Sequence, residues 1–269
     1  MENQGARAHL GMTTKIDWNA QQYLRFAAER TRPSRDLVAA IDLPAPARVI
    51  DLGCGPGNST EVVAGRWPQA EITGMDHSPS MIEAARQAQP GRPWLVGDIA
   101  TWQAEAPYDL VFSNAALQWV GDHSTVIPRL MAQVAPEGAL AFQMPANIHA
   151  DAHRLMRELA ASPSWRAYYT ETIREWFVHE PSFYYDLLAG RARRLDFWLT
   201  EYLHILEGPA AVVEWYKSTG LRPFLDPLPP GERDRFVEDY RALIEKAYPS
   251  RPDGKVLFPF QRFFLVAYR

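Results

Sequence analysis

The sequence predicts an α/β fold built on a doubly wound, mostly parallel sheet of seven strands. Three observations predict it. Strand-like apolar runs alternate with helical patterns from Val49 to Met144. The first run, Val49-Ile50-Asp51-Leu52, ends in Gly53-Cys54-Gly55-Pro56-Gly57-Asn58, a glycine-rich turn that opens a helix. The next three runs lead in turn to Asp76, Asp98 and Asn114, polar groups that would collect at the carboxyl ends of the strands.

The elements follow in order. Residues 1–16 are polar and expected to be mobile. Asp17 to Arg30 spaces Trp18, Tyr23, Leu24 and Phe26 as a helix, with Asp17 as a cap. Pro33 fits the first turn of a second helix carrying Leu37, Val38 and Ile41. Leu43-Pro44-Ala45-Pro46 breaks the pattern before the first strand. Helices are then expected from Asn58, from Ser78-Pro79 and over Val126 to Val134, and strands over Glu71–Asp76, Trp94–Ile99, Tyr108–Ala115 and Gly138–Met144. Composition shifts after Pro145. The stretch of about 146–194 is helical at Leu155, Met156 and Leu159, then rich in Trp165, Tyr168, Tyr169, Trp176, Phe177, Phe183, Tyr184 and Tyr185. It is too aromatic for a linker, so we read it as a cap inserted after the fifth strand, over the cofactor end. Phe197–Leu206 and Val256–Tyr268 read as strands, Ala210–Thr219 and Glu232–Ala247 as helices. The whole of 17–269 is expected to be one domain, with helices over 17–42 ahead of the sheet.

The glycine spacing narrows the cofactor. A dinucleotide fingerprint places its third glycine where this chain has Asn58. Asp51 would face a pyrophosphate with like charge, at a cost of about 4 kcal/mol for unit charges 4 Å apart. The acid suits a cationic ligand, and S-adenosylmethionine is cationic at its sulfonium and α-ammonium groups. Asp76, about 20 residues past the glycines, stands where ribose hydroxyls need an acceptor. A nicotinamide or flavin oxidoreductase is the alternative of another class, and a binding protein that turns nothing over is a third.

Composition excludes further classes. The chain has 269 residues, 47% hydrophobic and 22% charged, which is ordinary for a globular protein. Its net charge of −4 lacks the basic excess of a nucleic-acid binder. Cys54 is the single cysteine, so neither an internal disulfide nor a cysteine zinc cluster is available. No apolar run has the length of a membrane span, and a cytoplasmic location is expected.

These motifs resemble the class I S-adenosylmethionine-dependent methyltransferases, whose sheet is Rossmann-like. The resemblance runs from Asp17 to Arg269. It is carried by Asp17-Trp18-Asn19, Ala28-Glu29-Arg30, the loop from Asp51 to Thr60, Leu117-Gln118-Trp119, Gln143-Met144-Pro145, Thr219-Gly220-Leu221-Arg222-Pro223 and Arg262-Phe263-Phe264. It implies an antiparallel terminal strand and S-adenosylmethionine as cofactor. The cofactor would be held by Tyr23, Arg32, Asp51, Gly53, Gly55, Asp76, Asp98, Ile99 and Asn114, with Asp98 on the adenine amino group and Ile99 on its face. Arg30 or Arg32 would pair with its carboxylate, since a guanidinium donates two parallel hydrogen bonds.

The narrower motifs imply a small-molecule tricarboxylate substrate, bound by Gln118, Trp119, Gln143, Tyr184, Tyr185, His204, Arg222 and Arg262. A carboxylate is already ionised at neutral pH, so in-line methyl transfer needs positioning and no general base, metal or triad. The rival substrates are another small acid or a phenol. A phenol would need a base, and His204 is the candidate for that role.

Overall fold

The computed structural model describes residues 27–170, 173, 176–217 and 219–269. Seven strands form one sheet: β1 (Arg48–Leu52), β2 (Glu71–Asp76), β3 (Trp94–Val96), β4 (Tyr108–Asn114), β5 (Val134–Pro145), β6 (Arg194–Leu206) and β7 (Val256–Tyr268). Their spatial order is β3-β2-β1-β4-β5-β7-β6. The first five are parallel, and β7 runs antiparallel between β5 and β6. The order reverses at β1 and β4, the switch point where doubly wound sheets bind ligands.

The helices are α1 (Ala27–Ala40), α2 (Asn58–Arg66), α3 (Pro79–Ala88), α4 (His123–Ala132), α5 (Asp151–Ala161), α6 (Pro181–Leu188), α7 (Pro209–Lys217), α8 (Arg222–Leu225) and α9 (Pro230–Ala247). Ser78 caps α3 through its hydroxyl, and Pro79 occupies the first turn, where its missing N–H costs nothing. Pro33 behaves differently from the expectation. It lies inside α1, buried, with the helix described on both sides of it. Leu37 and Val38 in that helix and Ile41 just past its end bury their side chains against the sheet, each contributing roughly 1.5–3 kcal/mol, which offsets the lost backbone hydrogen bond.

Strand alternation sends apolar residues to both faces. Leu37, Val49, Val63, Phe112, Ala141, Tyr202 and Phe264 form one core beneath α1 and α2. Ile50, Val111, Ile127, Phe142, Tyr184 and Phe263 form the other beneath α4 and α6. A third, aromatic body stands on the far ends of β6 and β7. It gathers Trp165, Trp176, Trp215, Tyr216, Phe236, Tyr240, Phe258 and Phe260. This body draws on two stretches rather than on 146–194 alone. Helix α5 supplies one wall, while α7 and α9 come from the connection between β6 and β7 and pack on it. Helix α6, within the expected cap, instead covers the sheet beside α4 and β6. Among the described residues no helix is long and apolar enough to cross a membrane.

Candidate functional site

Asp51 lies one residue before the end of β1 with no solvent exposure, paired in register with Gly74 on one side and Phe112 on the other. Its Oδ2 accepts from Ser59 Oγ at 2.6 Å and Thr60 Oγ1 at 2.7 Å, both in the first turn of α2. Its Oδ1 is buried with no hydrogen-bond partner. Burial pushes its pKa up to about 6, against the lowering pull of the Ser59 and Thr60 hydroxyls and with a further push from the Asp76 charge. A buried carboxylate oxygen without a donor is costly, and a cationic ligand would satisfy it.

The glycine loop shapes the space beside it. Gly53 has φ 74°, and a Cβ there would sit 2.1 Å from Ala116 Cβ, so the loop after β4 closes directly onto this backbone. Gly55 has φ 56°, and a Cβ there would meet nothing within 4 Å. Open space over a left-handed glycine lets a ligand lie on the bare main chain. Asp76 binds the loop to β2: Oδ2 accepts from Gly55 N at 2.9 Å and Oδ1 from Ser78 N at 2.9 Å. His77 Nδ1 also lies 3.5 Å from Oδ1. Asp98 is exposed, with Oδ1 taken by Ala100 N at 2.8 Å. Ile99 is buried, its Cδ1 3.5 Å from where a Gly53 Cβ would be. These residues fit a cationic nucleoside cofactor. Burial also raises the Cys54 thiol pKa, aided by Asp51 and Asp76, so this cysteine stays an inert thiol.

A row of polar side chains leaves this loop along the α1 face of the sheet. Asn114 ends β4 and is in register with Gln143 of β5. Gln143 Nε2 donates to Asn114 Oδ1 at 2.6 Å. Gln143 is in register with Phe264 of β7, and Arg262, two residues away on the same face, donates from Nη1 to Gln143 Oε1 at 3.4 Å. Arg262 is 4% exposed. His204, on β6, points to that face too and is buried with its Nε2 unpartnered. Burial, then the charges of Arg262 and Arg32, lower its pKa to about 4, so it is a neutral imidazole at physiological pH. After β4, Gln118 is buried, with Nε2 donating to Ala115 O at 2.7 Å and Oε1 unpartnered. Trp119 leans edge-on against Trp176 at 5.8 Å and so joins the turn to the aromatic body.

Not every expected residue gathers here. Tyr184 is fully buried under the opposite face, stacked on Phe263 at 5.2 Å, with its hydroxyl 2.8 Å from His123 Nδ1. It is a core residue because its helix covers the sheet. Tyr185 is 54% exposed and borders Phe197 on that same far side. Arg222 opens α8 between Leu221 and Phe224, residues of the aromatic body. Arg32 stands with its Cζ 4.9 Å over the Tyr202 ring of β6, at the opposite end of the row from the glycine loop. Tyr23 lies outside the described residues. Ser59, Thr60, Tyr202 and Phe260 were not foreseen as site residues. The first two were legible as hydroxyls at the start of the helix that the glycine loop opens, eight and nine residues past Asp51. Among the described residues no three His, Cys, Asp or Glu side chains are grouped to hold a metal ion.

This loop and this sheet order define a class I methyltransferase, an enzyme that takes its methyl group from S-adenosylmethionine. A family model described as a methyltransferase domain matches residues 49–138. The fold is shared with the YcgJ protein of Bacillus subtilis (TM-score 0.58, 14% identity, 88% of this chain and 98% of that one). It is also shared with the BH2331 protein of Bacillus halodurans C-125 (TM-score 0.52, 13% identity, 89% and 98%). Three curated relatives called trans-aconitate 2-methyltransferase are far more similar. That of Methylobacterium radiotolerans is 49% identical over 93% of this chain and 98% of its own length. That of Azoarcus sp. is 46% identical over 94% and 99%, and that of Variovorax paradoxus 48% over 94% and 98%. The chain belongs to the trans-aconitate 2-methyltransferase family.

Proposed function

We propose that this chain esterifies a carboxylate of trans-aconitate, with S-adenosylhomocysteine as the second product. The observation that carries the reading is the unbroken polar row Asn114–Gln143–Arg262, which joins the cofactor loop to a buried guanidinium. When bound, S-adenosylmethionine supplies a methyl group on a positively charged sulfur that an oxygen nucleophile displaces in line. The chain's own residues do the rest. Asp51 Oδ1 would meet the ammonium, Asp76 the ribose hydroxyls, Asp98 the adenine amino group, and Ile99 would pack on the adenine face. The bare main chain at Gly53 and Gly55 would lie against the cofactor. Arg262 would hold a carboxylate that does not react, and Gln143, held by both neighbours, fixes the distance between that carboxylate and the Asn114 end. Holding the pair in line is worth up to about 7–11 kcal/mol of barrier. The net charge of −4 lacks the basic excess that a nucleic-acid partner would call for, and a small free acid as partner and a cytoplasmic location are part of the same proposal.

The phenol alternative loses support. A buried imidazole with a pKa near 4 is a poor acceptor for a proton held at about 10. Incubation with methyl-labelled cofactor and a panel of mono-, di- and tricarboxylates, with products weighed by mass spectrometry, tests the proposal. A trans-aconitate monoester should dominate, with a maximal rate nearly flat from about pH 6.5 to 8.5. A rate rising tenfold per pH unit across that window points to a phenol instead.

A further inference from the structure

Arg32 is placed where a cofactor role does not reach it. The sheet order sets β1, with its glycine loop, apart from β6 by β4, β5 and β7. Arg32 is tied to β6: its guanidinium lies 4.9 Å over the Tyr202 ring. Tyr202 pairs across the ribbon with Phe260, and Arg262 lies with its Cζ 4.7 Å over the Phe260 ring. Rings on directly paired residues start from Cβ atoms only about 4.5–5.5 Å apart. Two guanidinium groups from chain positions 230 residues apart (262 − 32) therefore sit over adjacent rings of one platform. His204 completes it. Its ring is parallel to Tyr202 at 6.0 Å and lies 6.0 Å from Phe260.

The electrostatics are unfinished in the way a binding site is. Among the described residues Arg32 pairs with one acid, Asp36, whose Oδ2 accepts from Tyr202 Oη at 2.6 Å and is 4.0 Å from Arg32 Nε. That long contact, with the Arg32 side chain 65% exposed, leaves most of its donors turned outward. His204 Nε2 is buried without a hydrogen-bond partner, and Arg262 and Arg32 both act on its charge. Two cations and an unpartnered ring nitrogen on an aromatic floor suit a ligand with several carboxylates.

We propose that Arg32 and Arg262 form a two-armed clamp across the β6–β7 ribbon, with His204 on the same platform, that recognises the carboxylates of the substrate that are not methylated. The clamp rests on the carboxyl-methyltransferase reading. It makes α1 a part of substrate selection, and it makes Asp36 and Tyr202 positioning residues for Arg32. A monocarboxylate can engage one arm only, so the clamp sets the preference for polyacids.

The test is calorimetric titration of trans-aconitate into the protein saturated with S-adenosylhomocysteine, beside titration of S-adenosylhomocysteine alone and turnover of trans-aconitate and crotonate. Arg32→Ala and Arg32→Gln should each weaken trans-aconitate binding about tenfold or more, while affinity for S-adenosylhomocysteine stays within about twofold. Turnover should lose its preference for trans-aconitate over crotonate, and Arg32→Lys should restore part of it as a single-pronged cation. If both variants weaken S-adenosylhomocysteine about tenfold and leave trans-aconitate untouched, Arg32 is a cofactor residue and the clamp is wrong. If neither ligand is affected, Arg32 is surface charge and the clamp is wrong as well. If the wild-type complex binds no trans-aconitate, the substrate reading itself fails, and that result is separate from the other two.

Discussion

The two ends of the strand-tip rim are built by different means. At β1 and β2 the site is mostly backbone, drawn tight by local hydrogen bonds: Gly55 N to Asp76, Ser78 N to Asp76, and the Ser59 and Thr60 hydroxyls to Asp51. At β6 and β7 it is side chain on side chain, assembled from residues as far apart as Arg32, Gln143, His204 and Arg262. The first kind of site has no room for an added atom at Gly53. The second tolerates packing changes but depends on individual charges. A loop serving one invariant ligand can be built into the main chain, whereas substrate choice is carried by groups that can be exchanged one at a time.

The largest effect should come from adding a single carbon at the backbone end. Gly53→Ala puts a Cβ 2.1 Å from Ala116 Cβ on a residue with φ 74°. Left-handed strain of roughly 1–2 kcal/mol and overpacking of roughly 1–3 kcal/mol add, so stability and cofactor affinity should both collapse. Pairing it with Ala116→Gly should recover the packing part and leave the strain, as read by thermal melting and calorimetry. Full recovery would mean that the conformation of Gly53 is unimportant.

At the other end Arg262→Ala should leave a buried carboxylate unpaired, costing about 2–5 kcal/mol in kcat/KM for trans-aconitate with cofactor affinity unchanged. A loss shared equally between the two ligands would break the division between the ends.

The third contrast is pH. The Asp51 carboxyl, with its pKa raised to about 6, takes up a proton below that pH and then no longer suits an ammonium group. Cofactor affinity should therefore fall by up to about tenfold per unit as pH drops from 6 towards 4. The sign for folding is opposite. The folded chain holds this proton to higher pH than the unfolded chain, so the group favours folding at low pH and that contribution is lost as pH rises through 6. Asp51→Asn should flatten both dependences, as followed by calorimetry and denaturant titration.

The smallest effect tests what lies away from the site. Tyr184→Phe removes a hydroxyl that meets His123 Nδ1 and accepts from His179 N at 3.3 Å. It should cost about 0.5–1.5 kcal/mol of stability and leave kcat/KM within error. A fall in activity without loss of stability would return Tyr184 to the substrate pocket.

The sequence by itself determined the backbone end. Asp51, the glycines and Asp76 are recognisable because strand, turn and helix are contiguous, and φ > 0 and bare main chain demand glycine at fixed spacing. The antiparallel seventh strand and the helices flanking it were likewise legible from periodicity and resemblance. Tertiary structure alone decided which aromatic and cationic residues share a face. The sequence reads Tyr184 and Tyr185 as cap residues, whereas α6 covers the sheet and buries Tyr184 in the core on the face opposite Tyr202. Arg32, expected at the cofactor from its place ahead of the sheet, lies over the Tyr202 ring of β6, a placement that only the packing of α1 decides. Strand pairing brings Gln143 and Arg262 together from 119 residues apart. No local pattern encodes such a meeting, since register and strand order arise only when both faces of the sheet are buried at once.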